Sequence, residues 1–202
     1  MRRTQEDRSA ATKAALMAAA RELFTERGYA DVPADEVVRA AGVTRGALYH
    51  HYGDKQGLFR AVFEELEEEV MVAIRAATDR VDDIRFKLVV GLGAFLDICR
   101  RADVRRIGLT DAPAVLGWQT WREIEHAHGL GLITESLNDA ISAGALPPLP
   151  VSVLAQLMLS AVIETALLVA NSEDPAKTRR EAEQVFGAWI AGLLGQNAGP
   201  LA

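Results

Sequence analysis

Between Thr44 and Lys55 the chain carries Thr44, Arg45, Gly46, Tyr49, His50, His51 and Lys55. Hydroxyl, guanidinium, phenol, imidazole and ammonium groups are thus crowded into twelve residues. Their shared chemistry is recognition of acceptors. An arginine can present paired N–H groups to N7 and O6 of a guanine. A lysine in the first turn of a helix adds charge to backbone N–H groups already suited to a phosphate. Each residue also has a plainer role: Arg45 solvated, Thr44 a helix cap, Gly46 a small turn residue, Tyr49 buried, and His50 and His51 ordinary surface. The two histidines have no third ligand near them in sequence, so no metal is expected there.

These groups need elements to aim them. Residues 28–59 read GYADVPADEVVRAAGVTRGALYHHYGDKQGLF. Pro33 suits the first turn of a short helix, with Val37 and Val38 facing inward and Ala41-Gly42 ending it. A second short helix runs from about Thr44 to His51. Short helix, glycine-containing turn, short helix is the helix-turn-helix pattern. Thr44 and Arg45 supply polar residues at the exposed start of its second helix, with Val43, Ala47 and Leu48 behind. In front of this pair, Leu16, Ala19, Ala20, Leu23 and Phe24 stripe a helix over about Ser9 to Arg27, and Gly28 is placed to end it. Behind it, Asp54 can cap a long fourth helix striped by Leu58, Val62, Leu66, Val70 and Ile74. The run Glu64, Glu65, Glu67, Glu68, Glu69 reads as its solvated face.

Stretch 28–59 resembles the DNA-binding signature of the tetracycline-repressor (TetR) family. The resemblance rests on Gly28-Tyr29 after the first helix, Ala41-Gly42-Val43-Thr44 at the turn, and Gly46-Ala-Leu-Tyr-His-His-Tyr52. Asp54-Lys55 and an apolar pair follow, and the match extends over residues 12–63. It implies an all-α homodimer: a three-helix helix-turn-helix head over 1–54 and an effector-binding and dimerisation body over 55–202. It implies contacts to double-stranded DNA, at a palindromic operator, from Arg45, Thr44, Gly46, Tyr49, His50, His51 and Lys55. Arg3, in a basic arm with Arg2 and Arg8, could reach a groove or the backbone. The chain departs from many relatives at Val32 and Pro33, where a hydroxyl would cap the helix and touch phosphate.

About nine helical segments are expected in all. A fifth holds Ile84, Leu88, Leu92, Phe95, Leu96 and Cys99. A short sixth covers about Arg105–Leu109, followed by a connector from Asp111 to Gly117. The seventh, about Trp118–Ala143, should be interrupted or kinked near Gly129 and Gly131. Pro147, Pro148 and Pro150 precede the eighth, about Val151–Asn171, and Asp174-Pro175 opens the ninth. The eighth is nearly apolar throughout, but Gln156 and Glu164 interrupt it. It is therefore read as a soluble helix buried on most sides, with no membrane partner. Resemblance to the family implies that the eighth and ninth helices form the dimer interface, through Leu157, Ala161, Leu168, Val185, Trp189 and Leu193. The alternative is that they fill only the core of one chain. For an unknown small-molecule effector the lining candidates are Phe95, Cys99, Trp118, Trp121, His128, Met158 and Glu164, with His126 beside them. Glu164 is singled out as a carboxylate expected to be buried, binding a ligand or pairing across the dimer.

The totals set bounds. The net charge is −6, yet residues 1–60 hold ten Lys or Arg against eight Asp or Glu, so excess acid lies in the remainder. One end only is suited to DNA. A single cysteine excludes an internal disulfide. The first fifteen residues lack the apolar core of a signal peptide, so a cytoplasmic location is expected. No nucleophile elbow, glycine-rich phosphate loop or paired metal motif is present, so neither an enzyme nor a cofactor is expected. A ligand-released repressor is the leading expectation. A co-repressor-dependent regulator or an activator with the same fold is the alternative, and a helical interaction protein a remote one.

Overall fold

The computed structural model describes residues 5–195, apart from the side chains of residues 84 and 85. Arg2 and Arg3 lie outside the described residues. Every regular element described is helical: α1 (Gln5–Arg27), α2 (Ala34–Ala40), α3 (Arg45–Tyr52), α4 (Lys55–Thr78), α5 (Ile84–Ile98), a π-helix (Val104–Asp111), α6 (Ala112–Leu116), α7 (Trp118–Ser142), α8 (Val151–Ala170) and α9 (Pro175–Gly195). Arg8 is part of α1 rather than of a flexible arm.

Two compact units emerge. The first comprises residues 1–67 and 101–122, the second 68–100 and 123–202. A division at 54/55 was expected. By packing, the early turns of α4 and the segment from Arg101 to Arg122 group with the first three helices instead.

The first unit is held by Leu16, Phe24, Val32, Val37, Leu48, Leu58, Phe59, Val62 and Phe63, all fully buried. Phe24, Tyr29 and Phe59 form an aromatic triad with ring centroids 5.1–5.6 Å apart. Val32 explains why no hydroxyl is needed before α2. It stands one residue ahead of the N-cap Pro33, and both Val32 and Val37 are fully buried, the positions of a hydrophobic staple.

The segment after α5 departs from expectation. In place of a short helix and a connector, a π-helix runs directly into α6. Pro113 gives the reason. It has no N–H for the carbonyl of Leu109, and its ring crowds that carbonyl in an α-helix. The wider turn avoids the conflict: the Ala112 N–H reaches back to the Ile107 carbonyl, and the Thr110 hydroxyl donates to the Arg105 carbonyl at 3.1 Å. Polar bonds fasten this segment to the helices that precede it. Asp103 accepts from Arg21 Nη2 at 2.7 Å and Nε at 3.1 Å, and from Arg101 at 2.7 and 3.1 Å. Asp111 accepts from the Tyr29 N–H at 2.8 Å, Arg106 donates to the Arg27 carbonyl at 3.1 Å, and Gln56 donates to the Val115 carbonyl.

Burial alone would raise the Asp103 pKa, but the bonds from Arg101, Arg21 and the Val104 N–H outweigh it and lower the value to about 2. The folded value is therefore below the unfolded one. Its stabilisation is present above 3.8 and is lost as pH falls toward 2. Asp103→Asn should cost roughly 2 kcal/mol at neutral pH, the scale of hydrogen bonds to a charged group. Urea denaturation at several pH values should show the parent's advantage shrinking only in strong acid.

In the second unit α5 packs on α8 and α9. Arg179 ties α9 to α5 through Asp97 and the Gly93 carbonyl, and bonds to Glu183 at 2.8 Å on its own helix. α7 is one continuous helix, so the chain is not interrupted at Gly129 and Gly131. Gly129 serves close approach instead: a Cβ there would press on the side chain of Leu159 of α8. α8 is long and apolar enough to cross a membrane by length and composition. The expectation that it is buried on most sides is corrected. Leu154, Ala155, Met158, Leu159, Ile163 and Ala166 face inward, while Val153, Leu157, Glu164 and Leu168 are exposed.

Candidate nucleic-acid interface

α2 ends in a Schellman turn: Val43 N–H bonds to the Val38 carbonyl and Gly42 N–H to that of Arg39. Gly42 sits there at φ +65°, a conformation other residues resist. Thr44 follows as the N-cap of α3, its hydroxyl accepting from the Ala47 N–H at 3.3 Å. That bond fixes the first turn of α3, from which Arg45 and Gly46 are exposed to solvent. Leu48 is fully buried on the opposite side and anchors the helix. Tyr49 is 45% exposed, so the alternative of a buried tyrosine is not met.

Arg45 is engaged at both ends of its guanidinium. One nitrogen lies 3.2 Å from Asp35 of α2, and the other donates to the Tyr49 hydroxyl at 3.1 Å. Its guanidinium carbon lies 5.5 Å from the centre of the Tyr49 ring. His50 is exposed, and His51 is partly covered, with ring centroids 4.9 Å apart. Burial, then the charges of His50 and Lys13, lower the pKa of His51. Tyr52 packs partly inward and donates from its hydroxyl to the Lys13 carbonyl at 3.3 Å.

Lys55 does more than sequence suggests. Its ammonium donates to the carbonyls of Tyr29 and Val32, each at 2.9 Å, and sits 3.8 Å from the centre of the Tyr29 ring. Burial lowers its pKa. Two of three donors are thereby committed to the chain that links α1 to α2. Asp54 caps α4 as expected, accepting from the Gly57 N–H at 2.7 Å.

The residues expected around an effector fall in both units. Trp118 and Trp121 belong to the first, with centroids 5.0 Å apart and Arg122 over both rings. Trp118 is largely in solvent at 68% exposed, whereas Trp121 is fully buried and its indole N–H has no acceptor among the described residues. Phe95, Cys99, His128, Met158 and Glu164 belong to the second unit. Cys99 and Met158 are buried, and Phe95 and His128 partly so. His126 is hydrogen-bonded to Gln156 at 2.9 Å. Glu164 is exposed, and the expectation of a buried carboxylate there is corrected. It lies on the outward face of α8 with Leu157 and Leu168. On α9, Val185 is 70% exposed, whereas Trp189 packs against Phe186 and is partly covered, as are Leu193 and, on α8, Ala161.

Of the acidic run in α4, Glu65 and Glu68 are exposed, whereas Glu67 is only partly accessible, four residues beyond the buried Phe63 and three before the buried Val70. Among the described residues no donor or cation holds it. Burial alone raises its pKa to about 7. Its position in the apolar stripe of α4 was the available signal. A carboxyl whose folded pKa exceeds its unfolded one destabilises when ionised. The cost sets in above 4.5 and is complete above about 7. At ~1.4 kcal/mol per unit, reduced for partial solvent access, Glu67→Gln should stabilise by about 1–2 kcal/mol in alkaline buffer. Near the ordinary carboxyl pKa the gain should vanish, and thermal melts at both pH values would measure the difference.

Comparison with known proteins agrees with this geometry. Residues 16–62 match the family model for bacterial regulatory proteins of the tetR family, and residues 87–193 that for a tetracyclin repressor-like C-terminal domain. The transcriptional regulator CymR of Pseudomonas putida is 44% identical over 75 residues, 37% of each chain. TtgR, another regulator from Pseudomonas putida, is 31% identical over 157 residues, 73% of each chain. A crystal structure of a TetR-family regulator from Pectobacterium atrosepticum superposes with a TM-score of 0.82 at 31% identity, covering 96% of this chain and 99% of that one. With a capped recognition helix behind a glycine turn, and both halves of the chain matching one family, this protein belongs to the TetR family of DNA-binding transcriptional regulators.

Proposed function

We propose that the chain acts as a homodimeric repressor that leaves a palindromic operator when a small molecule binds its C-terminal body. The observation that carries the DNA half is the presentation of α3. Its start is fixed by the Thr44 cap, its back by Leu48, and Arg45 and Tyr49 stand in solvent. Arg45 reads a base in the major groove. Tyr49, His50 and His51 meet the DNA backbone, and Gly46 admits it closely. Thr44 is first a cap. Lys55 acts chiefly by fixing the start of α4, with one N–H left for a phosphate.

Dimerisation is supported by the outward apolar residues of α8 and α9. Val153, Leu157, Leu168 and Val185 are each more than half exposed, an arrangement that a soluble chain covers with a partner. The two-fold partner is a second copy.

Two unmet polar groups support the ligand half. Among the described residues, the Trp121 N–H is buried without an acceptor, and Glu67 is shielded without a cation or donor. A ligand oxygen would accept from the Trp121 N–H, and a ligand O–H, N–H or cation would meet the Glu67 carboxylate. The coupling element is the 103–116 segment, whose Asp103, Arg106, Asp111 and Val115 contacts grip α1, the Tyr29 backbone and α4. π-turns are less favourable than α-turns, so a bound ligand that re-registers this one would release those grips.

The test is titration of the full-length protein onto duplex DNA from upstream of its own gene, over a series of salt concentrations. Affinity should fall linearly on logarithmic axes as phosphate counterions are released, at about 0.9 per phosphate contact. Binding that is absent, or indifferent to salt, would refute the assignment.

A further inference from the structure

The base-reading arginine does not stand alone. Arg39 is one turn beyond Asp35 on α2 and would be its ordinary partner on a helix. Asp35 instead pairs with Arg45, the first residue of α3, at 3.2 Å from one carboxylate oxygen and 3.3 Å from the other. The other end of the same guanidinium is held by the Tyr49 hydroxyl. Glu36, the neighbouring acid, is occupied elsewhere by Arg27.

Both partners of the Asp35–Arg45 pair are 60% exposed. A surface pair of this kind contributes little to folding. Its consequence lies in recognition. A free arginine side chain must be ordered when it docks, and that ordering opposes binding. Here Asp35 and Tyr49 hold the planar group on two sides and leave its remaining N–H edge for the groove. A carboxylate beside the reading edge also disfavours loose binding, because it repels phosphate wherever the arginine is not matched by a base.

We propose that Asp35 is a specificity-determining residue, a buttress that orients Arg45 toward one base and weakens binding to non-cognate DNA. This rests on the reading of Arg45 as the base contact. Asp35→Asn should therefore bind arbitrary duplex DNA several-fold more tightly, roughly 3-fold, because one negative charge is gone from each chain. Its preference at the position read by Arg45 should fall by about 3- to 10-fold. Tyr49, unchanged, retains part of the orientation.

The experiment is selection from a random-sequence duplex library by the full-length protein, followed by sequencing. The parent, Asp35→Asn and Arg45→Ala are run in parallel, with thermal melts to establish that each variant is folded. The expected result is that Asp35→Asn loses preference at the same motif position that Arg45→Ala flattens, while its affinity for unselected DNA rises. An Asp35→Asn motif identical to the parent's, with Arg45→Ala flattened, would overturn the buttress and leave the Arg45 contact standing. A parental motif in both variants would remove the Arg45 contact itself, and the buttress with it. A folded Asp35→Asn protein that loses affinity for all duplexes would overturn the buttress too.

Discussion

Replacing Leu157 with glutamate should convert the protein to a folded monomer that no longer holds its operator. Leu157 is 57% exposed in the single chain, on the same face of α8 as Val153, Glu164 and Leu168. The substitution therefore removes nothing from the core of that chain, and helical content should be unchanged. In a two-fold interface the same change occurs twice. Burying a leucine contributes about 2 kcal/mol, so two lost burials weaken association by roughly 10³-fold. Each new carboxylate also meets the native Glu164 on its own helix face, one of them from each chain, and desolvation of these charges adds to the loss. A monomer presents one recognition helix, and operator affinity should fall by at least ~10³-fold. Sedimentation and DNA titration on one preparation would measure both. A Leu157→Glu protein that remains dimeric would place the interface elsewhere.

Arg45→Ala carries the second large effect. A well-placed arginine pair to guanine is worth about 1–3 kcal/mol. A dimer makes the contact in both half-sites, and contributions from separated sites add. About 2 kcal/mol per half-site amounts to nearly 10³-fold in operator affinity. Loss of the guanidinium also leaves Asp35 without the partner seen at 3.2 Å. An unpaired carboxylate then faces the phosphates, so non-specific binding should weaken as well. The fold should be indifferent, because the side chain is exposed and the Thr44 cap remains. Competition between the operator and a scrambled duplex would show affinity for the operator falling far more than affinity for the scrambled duplex.

Local chemistry in this chain was largely legible because it is local. Gly42, Thr44, Asp54 and Asp174 each act within a few residues of themselves, and each does what its type suggests: a left-handed turn and three caps. The helix-turn-helix follows from them. What escaped depends on partners distant in sequence. Lys55 looked like a free charge at a helix start; only folding brings the Tyr29 and Val32 carbonyls to it. Gly129 looked like an interruption, but α7 runs through it and it is a small surface against Leu159. Glu164 looked buried because its neighbours are apolar, yet apolar residues line both faces of α8, and one face is left outward. The stretch from Asp111 to Gly117 looked like a connector, whereas its Pro113 sits in a helix whose preceding turn widens. Trp121 stands in the sequence as an effector-lining candidate; that it is fully buried and its N–H finds no acceptor among the described residues is a property of packing alone.

Hydroxyl-radical footprinting of the full-length protein on a duplex recovered by selection tests the central claim most directly. Two symmetry-related α3 helices should protect two equivalent patches on one side of the duplex, centred about one helical turn or a whole multiple of it apart. A single unsymmetrical patch, or protection that persists undiminished in Leu157→Glu, would contradict it.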